Sequence, residues 1–227
     1  MDILDLARGP LLWLSLAIFV AGTAWRLWAI LRLPAMPDLS PARPGSLSSG
    51  AAAWQGIRDG LWPRVDVARA RRYAAFNAYV FHIGLAVVFL GYAPHIDFVR
   101  RLTGLGWPAF PDPVMYLGSA VTVVSLVIAL WLRFTDPVRR LLSTSDDWIS
   151  WTLVFLPFVT GMAVLGTPSD EIARRTVVVY REPLAVHLIT LELLLIWFPF
   201  GKLMHAVLFA FSRAATGRRF AHRGVQL

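Results

Sequence analysis

Five stretches of about twenty mainly apolar residues run through this chain, and they constrain it more than any other feature. A bilayer core of roughly 30 Å needs about 20 such residues per helix. Residues 10–32, 73–95, 114–133, 148–167 and 183–212 meet that length, the last with residues to spare. Lipid offers the backbone no hydrogen-bond partners, so only helices or closed barrels cross it, and the periodicity of barrel strands is absent. An all-α integral membrane protein, a single domain built as a five-helix bundle, is therefore expected. With 57% of residues apolar and 16% charged, the composition lies outside the globular norm. Asp2 and Asp5 precede the first stretch and no small-residue cleavage site follows it, so it reads as a retained helix rather than a signal peptide.

Arginine sets the orientation. With the N-terminus outside, the cytoplasmic segments carry Arg32, Arg43, Arg58, Arg64, Arg69, Arg71, Arg72, Arg133, Arg139, Arg140, Arg213, Arg218, Arg219 and Arg223. The other side keeps Arg8, Arg100, Arg101, Arg174, Arg175 and Arg181. The excess of arginine on cytoplasmic loops predicts N-terminus out and C-terminus in. The net charge of +8 is then a topology signal and a contact with anionic lipid; no nucleic-acid-binding module accompanies it. The longest hydrophilic stretch, 33–72, opens with a Pro/Ser/Gly-rich half. An amphipathic half comes next, with Trp54, Ile57, Leu61 and Trp62 among Arg58 and Arg64. It reads as a linker plus an interfacial helix, as a docking surface for a cytoplasmic partner, or as both.

No cysteine is present. Disulfides, cysteine-ligated iron–sulfur clusters and covalently attached c-type haem are excluded from this chain. Histidine is the informative residue. His82 and His95 fall on the second predicted helix, His187 and His205 on the fifth, while His222 sits in the basic tail and reads as solvated. Ionisable residues in a bilayer point to function by default, although a lone histidine often only hydrogen-bonds a neighbouring helix. On a continuous helix, His187 and His205 lie five whole turns apart, roughly 27 Å along one face. His82 and His95 are separated by roughly 20 Å of rise but about 220° of rotation, unless Pro94 re-aims the residues after it. With the two helices antiparallel, His82 shares cytoplasmic depth with His205, and His95 shares outer depth with His187. Two such cross-helix pairs are what two six-coordinate b-type haems require. Tyr92 is the other candidate near the outer position.

Two segments then point to a family. The run Phe81-His82-Ile83-Gly84-Leu85 through Phe89-Leu90-Gly91, and Trp197-Phe198-Pro199-Phe200-Gly201-Lys202-Leu203-Met204-His205, resemble the second and last helices of the respiratory nitrate reductase gamma subunit. Its relatives include cytochromes b of sulfite-reductase-associated and heterodisulfide-reductase-like membrane complexes. The resemblance implies a di-haem b subunit of a bacterial or archaeal inner (cytoplasmic) membrane. Such a subunit exchanges electrons between the quinone pool and a cytoplasmic iron–sulfur subunit, with further membrane or extracytoplasmic cytochrome subunits among its partners. It implies His82 and His205 as ligands of the inner haem, and His95 and His187 as ligands of the outer one. The family carries its outer second-helix ligand directly after the glycine, where this chain has Tyr92, so this chain resembles a relative from another complex.

Other polar residues have two readings each. Lys202, one turn from His205, can pair with a haem propionate or snorkel to the interface. Asp97, Arg100 and Arg101, with Tyr92, are quinone-site candidates or interfacial residues. Glu192 relays protons or hydrogen-bonds a neighbouring helix. Gly84 and Gly91 admit a flat macrocycle or close helix packing. Two rival classes predict different outcomes: a single-haem anchor subunit without quinone turnover carries one haem, and a non-haem transporter or assembly protein is colourless.

Overall fold

Pro10 opens a long apolar helix and Pro94 interrupts another, and such punctuation places most of the element boundaries. A computed structural model describes residues 2–34, 38–62, 65–165 and 181–225, apart from the side chains of 65–71 and 181. The helices are α1 (Ile3–Arg8), α2 (Pro10–Leu31), α3 (Ser49–Gly60), α4 (Val65–Gly91) and α5 (Ala93–Thr103). They continue as α6 (Asp112–Thr135), α7 (Pro137–Leu142), α8 (Ser145–Met162), α9 (Arg181–Trp197) and α10 (His205–Arg223), the last preceded by a 3₁₀ turn at Lys202–Met204. Every regular element among the described residues is helical. Ile3–Leu31, Arg72–Gly91 and Asp112–Thr135 are each long and apolar enough to cross a membrane, and α9 with α10 makes a fourth candidate if the interrupted pair counts as one span. Residues 166–167 of the expected fourth span lie outside the described residues, as do Arg64, Arg174 and Arg175.

Two expected helices are broken. The second does not run through to residue 95: α4 ends at Gly91, Tyr92 is extended (φ −83°, ψ 127°), and α5 restarts with Pro94 in its first turn. The fifth does not run from 183 to 212. It stops at Trp197, and the chain passes through extended Gly201 (ψ −175°) before helix resumes. Pro199 has no N–H to continue the ladder. It is fully buried, seated where Gly22 of α2 lacks a side chain: a Cβ there would lie 2.7 Å from the proline ring. The five-turn register expected between His187 and His205 therefore does not hold.

The described chain forms two compact units, Met1–Phe19 with Tyr73–Trp197, and Val20–Arg72 with Phe198–Leu227. In the first, α9 packs on α8 and α1, and α8 packs on α6. Polar groups stitch these contacts. Asn77 of α4 donates to the Ser125 carbonyl of α6 (2.9 Å), and the Trp151 indole of α8 donates to Leu126 of α6 (3.0 Å). At the end of α9 the Trp197 indole reaches Asp146 (3.2 Å) and Ser150 (3.1 Å) near the start of α8, so the two helices run antiparallel. Gly84 and Gly91 serve packing within this unit. Gly84 abuts Thr122 of α6, and Gly91 abuts Phe110 and Met115.

In the second unit α3 lies against α10 through small residues. Ala52 and Gly56 of α3 are buried against Gly217, where an added Cβ would lie 2.8 Å from the facing glycine's Cα. Such small-residue seams let backbones approach closely. Trp54, Leu61 and Trp62 remain exposed. The Pro/Ser/Gly-rich half of the loop is tied to the same helix. Arg43 N–H donates to the His222 carbonyl (3.0 Å), His222 Nε2–H donates to the Ser40 carbonyl (2.8 Å), and Arg223 pairs with Asp38 (2.7 Å). His222, expected to be solvated, is a latch.

Candidate functional site

The break after α4 leaves carbonyl groups without helical donors, and the site is built from how they are satisfied. Leu90 would have received the N–H of residue 94, which proline lacks; the Trp107 indole donates to it instead. The Gly91 carbonyl takes the N–H of Phe110 (2.9 Å). The Val88 carbonyl takes Nδ1–H of His95 (3.1 Å). The imidazole of His95 is thereby turned back over the end of α4, packed edge-on against Tyr92 (5.3 Å between ring centres) and tilted against Phe89 (5.9 Å).

Facing it is His187 of α9. The ring centres are 6.4 Å apart and the planes only 20° from parallel. Both rings are half-buried. His187 Nδ1 lies 3.2 Å from the Thr160 hydroxyl of α8. That hydroxyl also donates to the Leu156 carbonyl (2.7 Å), and the ring has a further backbone contact at the Pro157 carbonyl. Gly161 makes the space: a Cβ there would come within 3.0 Å of His187 Cε1. Neither Thr160 nor Gly161 stood out in the sequence, because nothing in residues 148–167 names which of them meets α9.

His82 belongs to the first unit and His205 to the second. Both are exposed. His82 Nδ1–H donates to the Ala78 carbonyl one turn earlier (2.7 Å), and His205 Nδ1–H donates to the Lys202 carbonyl (2.8 Å). Lys202 thus acts on His205 through its backbone, its exposed side chain being a separate matter. Of the quinone-site candidates, Tyr92 caps α5 against His95, while Asp97 and Arg100 form an exposed ion pair with each other (2.7 Å). Arg100 also lines an open hollow with Gly104, Gly106, Trp107 and Pro108, which Tyr92, Asp97 and Arg101 do not line. Glu192 is buried on α9, and neither carboxyl oxygen has a hydrogen-bond partner among the described residues.

His82, His95 and His205 therefore share one tautomer. A carbonyl only accepts, so Nδ1 carries the proton and the lone pair lies on Nε2. Metal-ligating histidines are held in this way, the other ring N–H donated to an oxygen. A metal takes an imidazole nitrogen at about 2 Å. One imidazole on either side, with each ring's own radius added, sets two ring centres roughly 6 Å apart. His95 and His187 fit that spacing. A haem iron asks the protein for only two axial ligands, the macrocycle supplying the rest. Among the described residues no three His, Cys, Asp or Glu side chains gather as a bare-ion site.

No family model matches the chain. A protein of Nitratidesulfovibrio vulgaris (strain Hildenborough) is 30% identical to it over 221 residues, which span 94% of this chain and 91% of that one. The two chains belong to one family.

Proposed function

We propose that this member of the family shared with the Nitratidesulfovibrio vulgaris protein is a b-type cytochrome subunit of a membrane redox complex. His95 and His187 would hold one haem, and His82 and His205 are the residues that the resemblance to the nitrate reductase gamma family implies for a second. The observation that carries the reading is the outer pair, two near-parallel imidazoles 6.4 Å apart with both Nδ1 atoms held by oxygens. Bound haem supplies one-electron redox chemistry. The protein fixes the ligands, excludes water from the half-buried outer pair and sets the spacing. Quinol is oxidised near the outer pair and electrons leave inward to a cytoplasmic iron–sulfur subunit docked on the basic loops, or the flow runs in reverse. Glu192, a buried carboxyl on the same helix as His187, is the candidate to move the protons.

Five crossings with the N-terminus outside fit the contacts best. The loop and the C-terminal helix touch through α3 and α10, and α10 carries Arg213, Arg218, Arg219 and Arg223. Segments in contact outside the bilayer lie on one side of it, so an even number of helices crosses between them. Both α4 and α6 do. The antiparallel pair α8 and α9 crosses together or not at all, and both are taken to cross, as the apolar stretches 148–167 and 183–212 imply. With α2 that makes five, in a bacterial or archaeal cytoplasmic membrane.

The test is a pyridine-haemochrome assay with a reduced-minus-oxidised spectrum on the purified chain, quantified per mole of protein. Two b haems per chain are expected, and His95→Ala or His187→Ala loses one. A single haem that His95→Ala removes confines the function to the outer pair. Colourless protein from haem-replete cells sinks the cytochrome reading.

A further inference from the structure

Resting on that reading, we propose that Thr160 is the positioning residue of the outer ligand pair, its hydroxyl fixing the ring rotation of His187 and with it the near-parallel setting of the two imidazoles. His82, His95 and His205 each give Nδ1–H to a backbone carbonyl, which no substitution of that residue's side chain removes. His187 also meets a backbone carbonyl, that of Pro157, but its Nδ1 lies in addition 3.2 Å from a side chain on the neighbouring helix, the Thr160 hydroxyl. Of the four rings it is the one whose Nδ1 contact includes a side-chain oxygen, so a single replacement at Thr160 tests how far that oxygen sets its rotation.

Thr160 is itself held. Its hydroxyl donates to the Leu156 carbonyl (2.7 Å) and lies 3.1 Å from the Thr190 hydroxyl, which in turn donates to the His187 carbonyl (2.8 Å). Thr190 is buried. The two threonines thus tie α8 to the turn of α9 that bears His187, and Gly161 closes on the Cε1 edge of the ring. A ring so boxed has one rotation about its bond to the chain. An oxygen accepting Nδ1–H also makes Nε2 a stronger donor to a metal, which favours the ferric state of a haem ligated there. Near-parallel axial imidazoles give low-spin ferric haem a rhombic electron paramagnetic resonance spectrum, and crossed imidazoles a strongly anisotropic one.

The experiment compares full-length wild type with T160V, T160A and T160S by haem content, resonance spectrum of the oxidised protein and redox titration. Wild type is expected to show a rhombic signal from one haem. T160V and T160A should shift the midpoint of that haem upward and alter its anisotropy, while the other haem stays unchanged and T160S matches wild type. Loss of one haem from both T160V and T160A, with retention in T160S, supports the same assignment. Wild-type spectra and potentials in T160V and T160A overturn it, and so does T160S displaced as far as T160V. Wild type without haem defeats the cytochrome reading itself, and is seen before any variant is made.

Discussion

The carbonyl of Leu90 meets an indole rather than a helical N–H because residue 94 is proline, and His95 points where it does because the same break frees Val88. Pro94→Ala restores the missing donor and lets α4 run on into α5. On a continuous helix His95 returns to about 220° from His82, away from His187. The variant is expected to lose the outer haem without loss of fold, measured as haem per chain beside circular dichroism; unchanged haem content would show that other contacts aim the ring. Gly161→Val should act on the partner ligand, since even a Cβ closes to 3.0 Å of the ring. Glu192 offers a contrary case. An unpartnered buried polar group costs about 1–3 kcal/mol, so Glu192→Leu should raise thermal stability while slowing quinol turnover if the carboxyl moves protons. Lower stability would reveal a partner for it. At this scale the sequence was partly legible: His95, His187 and Pro94 stood out as rare residue types in apolar surroundings. Thr160 did not, because a hydroxyl that bonds its own helix looks the same as one that positions a ligand.

Between α3 and α10 the small residues Ala52, Gly56 and Gly217 do the packing that bulky side chains do elsewhere, and Gly60 receives the Arg213 stem. Forcing extra volume into a close-packed contact costs about 1–3 kcal/mol. Gly217→Val should separate the two helices by roughly that amount, read as faster tryptic cleavage at Arg58 with the haem spectrum unchanged; cleavage at the wild-type rate would mean the seam does not hold them. The latch beside it is acid-resistant. Asp38 is held below the usual carboxylate range, first by the Ser40 hydroxyl and then by Arg223. A depressed carboxyl contributes stability at neutral pH that is lost only as pH falls through its lowered folded value. Protection of Arg43 from trypsin-like cleavage should therefore be the same at pH 7 and at about pH 5, on the alkaline side of an ordinary carboxyl. The interval of four between Ala52, Gly56 and Gly60 is visible in the sequence, but periodicity shows a face and not its partner, which lies near the other end of the chain. The break at Pro199 was also in plain view. Apolar residues on both sides of it gave one unbroken hydropathy stretch, and hydropathy does not register a lost N–H.

Length and apolarity are summed over many residues, so the class of the molecule was the most legible of all: helical, with three to four stretches fit to cross a membrane. Where each end lies is a whole-molecule question, and the absence of cysteine makes it answerable. Single substitutions Ser46→Cys and Val225→Cys, in the loop and after α10, should react with an impermeant maleimide only in inverted vesicles. Leu105→Cys, beyond α5, should react only in intact cells. Opposite sidedness of Ser46→Cys and Val225→Cys would overturn the five-crossing arrangement. The seam between α3 and α10 also has a meaning in time. A ribosome makes Gly56 well before Gly217, so α3 emerges with its small-residue face bare and waits through the synthesis of α4 to α9 for its mate. The unit that contains it cannot close before α10 is made, and a chain terminated short of Gly217 leaves α3 exposed to the quality-control proteases of the cell.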